Sequence, residues 1–124
     1  MQVFLNKSEE GNAKTLGIVN GKSISLKKDF ISEMNVGYNK INFDKKNLVL
    51  KHLFSGIENS KFYFLHKYHC LIDDKSTYKI YSKFEKKNIV TAIYKKNILG
   101  TQFHPELSGD DGLKFLKNFC DYKF

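Results

Sequence analysis

The chain has 124 residues, 41% hydrophobic, 15% aromatic and 27% charged, proportions that exclude wholesale disorder and a collagen-like structure. That length suits one domain, residues 1–124; no apolar run approaches a membrane span and the opening MQVFLNKSEEGN carries no basic leader, so a cytoplasmic chain with no membrane partner is expected. The net charge of +8 calls for no nucleic-acid partner, because all 21 basic residues are lysines spread from Lys7 to Lys123, and arginine, whose planar fork clamps phosphates, is lacking.

In chain order, Met1 to Lys7 reads as the end of a helix, closed by the turn chemistry of Glu9-Glu10-Gly11-Asn12. Leu16 to Leu26 and Asn35 to Phe43 are expected strands; in the second, Val36, Tyr38, Lys40 and Asn42 share one face, and Gly37, Asn39, Ile41 and Phe43 the other. Leu48 to Ile57 suggests a short helix that breaks near Gly56. Lys61 to Ile72 (KFYFLHKYHCLI) is aromatic and apolar on both faces, the pattern of one central strand. Strands are expected again at Thr77 to Phe84, Ile89 to Tyr94 and Ile98 to His104, with Lys95-Lys96-Asn97 as a hairpin turn. The chain closes on a helix with Ser108 as N-cap, Asp110 and Asp111 in its first turn, and Leu113, Leu116 and Cys120 at apolar spacing. Helix, strands, helix is an α/β order.

The chemistry concentrates at Gly100-Thr101-Gln102-Phe103-His104-Pro105-Glu106. In extended chain His104 and Glu106 project to the same side, and Pro105, the single proline, keeps His104 out of helical conformation. A carboxylate beside an imidazole selects its tautomer and stabilises the imidazolium, as a general base serving a nucleophile requires. His-x-Glu is short, and on spacing alone an ordinary polar loop fits equally well. His66 and His69 lie three apart on an expected strand and so face opposite sides, which argues against a metal site; His66 reads as a packed or hydrogen-bonded histidine. Cys70 and Cys120 read as inert core thiols.

The run Gly100, Gln102, Phe103, His104, Pro105, Glu106 and Ser108, followed by Gly112-Leu113, resembles the carboxy-terminal signature of class I (triad-type) glutamine amidotransferases. The chain is similar, more narrowly, to the glutaminase subunits of imidazole glycerol phosphate synthases. Met1-Gln2 with Ser8-Glu9-Glu10-Gly11, Leu16-Gly17-Ile18 with Gly21-Lys22, Val36-Gly37-Tyr38-Asn39 and Phe62 to Tyr68 stand in that family's order, so the resemblance spans essentially the whole chain.

The resemblance implies an α/β fold: part of a flavodoxin-like domain, a mixed sheet with flanking helices, its amino-terminal strands missing. It implies glutamine as substrate, hydrolysed through a cysteine thioester to glutamate and ammonia, with His104 as base and Glu106 orienting it, without metal or cofactor. Gln2, Lys67 and Tyr68 match substrate-contacting positions. Val36, Gly37, Tyr38 and Asn39 match a segment facing the synthase (cyclase) subunit, the expected heterodimer partner, which receives the ammonia for histidine biosynthesis. Met1 matches the methionine of the family's Cys-Leu-Gly-Met-Gln run, which puts the nucleophile elbow upstream and makes this chain, by itself, inactive. Lys67 replaces a Ser or Thr, and Asn35 to Tyr38 is a loose version of Pro-His-Met-Gly-Trp. Two alternatives stay open: a paralogue supplying ammonia to a sugar-modifying synthetase, and a non-catalytic basic interaction module.

Overall fold

A computed structural model of the chain describes residues 1–123. Nine strands form one mixed sheet: β1 (Lys7–Ser8), β2 (Ala13–Lys14), β3 (Gly21–Ser25), β4 (Asn35–Asn42), β5 (Lys61–His66), β6 (Tyr68–Ile72), β7 (Tyr78–Phe84), β8 (Lys87–Lys95) and β9 (Ile98–Thr101). Two α-helices, α1 (Leu48–Leu53) and α2 (Gly109–Asp121), accompany it. The strand order is β2-β1-β3-β6-β8-β7-β4-β5, with β9 on β8. Only β1 and β3 pair in parallel among the described strands; the other pairings are antiparallel. The expected mixed α/β arrangement is therefore the one adopted. Among the described residues no helix is long and apolar enough to cross a membrane.

One extra pairing shapes the half of the sheet that matters here. Beyond β9 the chain runs on through Gln102 and Phe103 until His104 bridges Tyr63 of β5. Pairing thus runs in a closed circuit from β5 through β4, β7, β8 and β9 back to β5. The inward faces of these strands give Ile41, Phe62, Phe64, Ile80, Ala92 and Phe103, on which α1 lays Leu50 and Leu53, and α2 lays Phe115. Phe103 packs its ring 4.6 Å from that of Phe62 and 5.5 Å from that of Phe115, tilted and edge-on geometries worth about 0.5–1.5 kcal/mol per pair beyond the area they bury.

The hairpin at Lys95-Lys96-Asn97 forms as expected, whereas β8 starts at Lys87, two residues before the expected Ile89, and so makes a second tight hairpin with β7. Lys96 (φ +55°) turns β8 into β9, and Glu85 and Lys86 (φ +45° and +69°) turn β7 into β8. α1 starts where Asn47 accepts the Leu50 N–H at 3.0 Å and ends before Gly56.

Four expectations are corrected. Residues 2–4 form a single 3₁₀ turn rather than the end of a helix, because Leu16, Gly17 and Val19 each bond their backbone N–H to the carbonyls of Val3, Leu5 and Phe4, leaving those groups no helical partner. For Leu16 to Leu26, only Gly21–Ser25 is strand. The run Lys61 to Ile72 is two strands, since the Lys67 carbonyl turns aside to accept the Leu26 N–H at 2.9 Å; β5 sits at one end of the strand order and only β6 is interior. Finally, α2 buries Gly112, Phe115 and Asn118 rather than the Leu113, Leu116 and Cys120 side. Leu113 is 64% exposed and Cys120 is an exposed thiol.

The phase of α2 is set by close approach. A Cβ on Gly112 would stand 1.8 Å from the Pro105 carbonyl oxygen, so the helix lies directly on the turn that follows His104. Gly112→Ala is expected to destabilise the chain by about 1–3 kcal/mol through overpacking, against the gain of about 1 kcal/mol that helix propensity alone would give. Urea denaturation reads the sign, and a stabilised variant would contradict this packing.

Candidate active site

His104 is mounted by its main chain. Its N–H donates to the Tyr63 carbonyl (2.9 Å), and its own carbonyl accepts from the Leu107 N–H (3.1 Å) and the Ser108 hydroxyl (2.6 Å). The same hydroxyl accepts the Tyr63 N–H at 2.9 Å. Ser108 stands at the N-cap position of α2, as expected, but its side chain makes no cap bond; its O–H proton and an acceptor lone pair go into this lock. Pro105 opens a 3₁₀ turn, Pro105–Leu107, and His104 stays extended at φ −103°, ψ 95°, as the residue before a proline should. Buried Phe103 anchors the segment from the other side.

On this mount His104 Nδ1 stands 2.8 Å from Glu106 Oε1. A carboxylate can only accept, so Nδ1 carries the proton and the lone pair lies on Nε2. Glu106 is held below the usual carboxylate range by its own backbone N–H first and by His104 second. The side chains are 39% and 60% exposed, so the pair stands at the surface with the basic nitrogen free to take a proton. The hydrogen-bond partners of His104 are Tyr63, Leu107, Ser108 and Glu106, and neither cysteine is among them. Cys70 packs with Leu5, Val19, Val90 and Ile93, where burial pushes its thiol up to about 12. A thiol that stays protonated at neutral pH is no nucleophile.

The three expected substrate residues come together. Gln2, Lys67 and Tyr68 line a cavity of about 360 Å³ completed by Glu10, Met34, Leu65, His66 and Gln102. A larger depression of about 680 Å³ around Phe30 holds none of the motif residues. Gln2 is fixed at both ends of its amide: Nε2 donates to the Tyr68 carbonyl and to Gln102 Oε1, both at 3.3 Å, while Oε1 accepts the Ser23 hydroxyl at 3.1 Å. Gly100 makes this possible, since a Cβ there would stand 3.0 Å from the Phe4 ring and 3.2 Å from the Met1 Cα. A glycine inside a strand marks such a close approach, and that signal was available in the sequence.

The segment Val36, Gly37, Tyr38 and Asn39 lies in β4 with Val36 and Tyr38 more than half exposed. It is tied to the site from both of its faces. The Tyr38 hydroxyl donates to the Leu107 carbonyl at 2.9 Å, next to Glu106. On the inner face the Asn39 amide donates to Asn35 Oδ1 (3.1 Å), and Asn35 Nδ2 donates to His66 Nε2 (3.0 Å). His66 Nδ1 donates in turn to the Tyr68 carbonyl at 2.8 Å. His69 is turned to a different partner, with Nε2 at 3.1 Å from Asp29 Oδ2. Asn35 and Gln102 were not singled out as site residues from the sequence; single amides in polar surroundings carry no spacing signal.

Burial pushes the His66 imidazole down to about 4, helped by the charges of His69 and His104 and opposed by the bond to Tyr68. Between the ordinary value of 6.5 and about 4 the unfolded chain binds a proton that the folded one refuses. Stability contributed by neutral His66 is therefore complete above that window and falls, by an amount on the order of 2–3 kcal/mol, as the pH drops through it. Urea midpoints measured from pH 7 to pH 4 are expected to decline more steeply for the parent chain than for His66→Asn; parallel curves would contradict the neutral, buried assignment.

The family described as "Glutamine amidotransferase class-I" matches residues 7–122. Among curated proteins, the chain is 38% identical over 120 residues to "Imidazole glycerol phosphate synthase subunit HisH 2" of Methanococcus maripaludis, covering 96% of this chain and 57% of that one. It is 35% identical over 123 residues to the HisH subunit of Chlorobaculum tepidum (98% and 60%), and 38% identical over 122 residues to that of Buchnera aphidicola (98% and 59%). The chain spans about three fifths of the length of these relatives. Matched family sequence from β1 to the end of α2, together with the mounted His104–Glu106 pair, leads to one conclusion: the chain belongs to the class I glutamine amidotransferase family.

Proposed function

We propose that these residues form the carboxy-terminal portion of a glutaminase domain and supply the base half of its site, in the glutaminase subunit of an imidazole glycerol phosphate synthase acting in the cytoplasm in histidine biosynthesis. The observation that carries this reading is the 2.8 Å bond from His104 Nδ1 to Glu106, which leaves Nε2 as the acceptor. Gln102, two residues before His104, lines the cavity of Gln2, Lys67 and Tyr68, and His104 and Glu106 are not among its lining residues. The relatives' names supply the synthase subunit.

The nucleophile in this reading is a cysteine thiol from chain outside these 124 residues. Its proton passes to His104 Nε2 as sulfur attacks the glutamine side-chain carbonyl, and Glu106 stabilises the imidazolium. The imidazolium returns the proton to the departing nitrogen, which leaves as ammonia. His104 then takes a proton from the water that hydrolyses the thioester, and glutamate is released. Gln2 and the Lys67–Tyr68 backbone hold the substrate's amino-acid end in the cavity. The exposed Val36 and Tyr38, with Gly37 and Asn39 between and beside them, dock the cyclase subunit that receives the ammonia. Tyr38 places that surface one hydrogen bond from the turn carrying Glu106.

The test uses purified protein. The 124-residue chain is expected to release no glutamate from glutamine. Joined to the nucleophile-bearing portion of a curated relative and mixed with the synthase subunit, it is expected to hydrolyse glutamine, and His104→Ala then lowers kcat by about 10²–10⁴-fold, the worth of a positioned base. Glutamate release by the 124 residues alone, abolished by His104→Ala, would contradict the division of the site; activity indifferent to His104→Ala in the joined protein would contradict the role of the base.

A further inference from the structure

The Lys67–Tyr68 corner is the least expected part of the cavity, because an unbroken strand former run surrounds it. Its geometry depends on two carbonyls, that of Lys67, which accepts the Leu26 N–H, and that of Tyr68. Tyr68 faces Ser25 across the β3–β6 ladder, and the adjoining bond runs from the Leu26 N–H to the Lys67 carbonyl, so the Tyr68 carbonyl points away from β3. The Tyr68 oxygen instead accepts His66 Nδ1 at 2.8 Å and Gln2 Nε2 at 3.3 Å. Two donors, one from the corner itself and one from the residue matching the family's substrate contact, share the same acceptor.

His66 is built to hold its end. It is 7% exposed, and its two nitrogens have fixed and different roles. A carbonyl only accepts, so Nδ1 donates to Tyr68; Asn35 Nδ2 must then donate to Nε2, because Asn35 Oδ1 is already occupied by the Asn39 amide. Every polar atom of the chain from Asn39 through Asn35 to His66 thus has one consistent orientation. Turning any one of them over sets donor against donor or acceptor against acceptor.

We propose that His66 is a positioning residue of the glutamine cavity: its bond to the Tyr68 carbonyl turns out the Lys67–Tyr68 backbone and, through the shared oxygen, sets the amide of Gln2. It acts through these groups and not on the reacting atoms. Asn35 selects the tautomer that makes the bond. The inference rests on the glutaminase reading for its substrate, and only the geometry of the corner is independent of it.

Three substitutions separate the contributions. His66→Phe fills the volume and removes both bonds. His66→Asn places an amide donor where Nδ1 stood, restoring the bond to Tyr68 while giving up Asn35. Asn35→Leu leaves His66 in place but removes the donor that fixes its tautomer. In the joined, synthase-bound glutaminase, His66→Phe is expected to raise KM for glutamine about tenfold, the worth of one buried hydrogen bond, with kcat within about threefold since His104 is untouched. His66→Asn is expected to bring KM back to within about threefold of the parent, and Asn35→Leu to fall between. An unchanged KM in His66→Phe, or a His66→Asn variant as impaired as His66→Phe, would overturn the proposal. Should His66→Phe fail to fold, Asn35→Leu decides it by the same KM criterion.

A second readout needs no activity. In the 124-residue chain, amide signals of Lys67 and Tyr68 and the side-chain amide of Gln2 should shift together in His66→Phe and return in His66→Asn. Gln2 signals indifferent to both variants would overturn the coupling. A parent enzyme that does not hydrolyse glutamine would count against the proposed function alone, and these spectra would still decide the corner.

Discussion

The Ser108 hydroxyl, bridging the His104 carbonyl and the Tyr63 N–H, is the interaction on which the arrangement of the site depends. It joins the chain leaving β9 to the edge of β5, so the circuit of pairing closes where the histidine emerges. An aromatic anchor lies beneath it, with Phe103 packed against Phe62, Phe64 and Phe115, and a helix that has given up a side chain at Gly112 is pressed onto Pro105. Each residue of the motif therefore has a distinct physical task. Phe103 buries, His104 and Glu106 pair at 2.8 Å, Pro105 holds the backbone extended, Ser108 locks it, and Gly112 lets α2 approach.

The second organising element is the polar seam under β4 and β5. Buried amides and an imidazole cost free energy unless every donor finds an acceptor, and here Asn39, Asn35, His66, Tyr68 and Gln2 satisfy one another in series. The seam runs from a strand whose other face is exposed to a cavity wall on the far side of the sheet edge. Surface and cavity are thus parts of one hydrogen-bonded unit, in which each member has a single orientation consistent with its neighbours.

Much of this was legible in the residues, and the parts that were not have identifiable reasons. Pro105 between a histidine and a carboxylate announced a rigid mount, and the hairpin at 96–97 follows from a short polar interruption between strand formers. The break at Lys67 was hidden because its cause is tertiary: the Leu26 N–H draws the carbonyl out of line, and nothing local in KFYFLHKYHCLI marks the spot. The phase of α2 was misread because two stripes of the helix have helical spacing, 113-116-120 at three and four and 112-115-118 at three and three. The apolar one looked buried. A glycine contact and the Asn118 amide, which donates to the Leu53 and Ser55 carbonyls at 3.0 and 3.1 Å, select the other. Cys120 consequently faces out, whereas Cys70 lies in the core as expected.

The arrangement of the site turns on the His104 Nδ1–H bond to Glu106, which leaves Nε2 as the acceptor. Nitrogen-15 NMR of the histidine side chains in the 124-residue chain measures this directly. At neutral pH the His104 resonance is predicted to show a protonated Nδ1 and an unprotonated Nε2, with the tautomer preference weakened when Glu106 is replaced by alanine. A His104 ring protonated at Nε2, or one whose tautomer is unmoved by Glu106→Ala, would contradict the central claim.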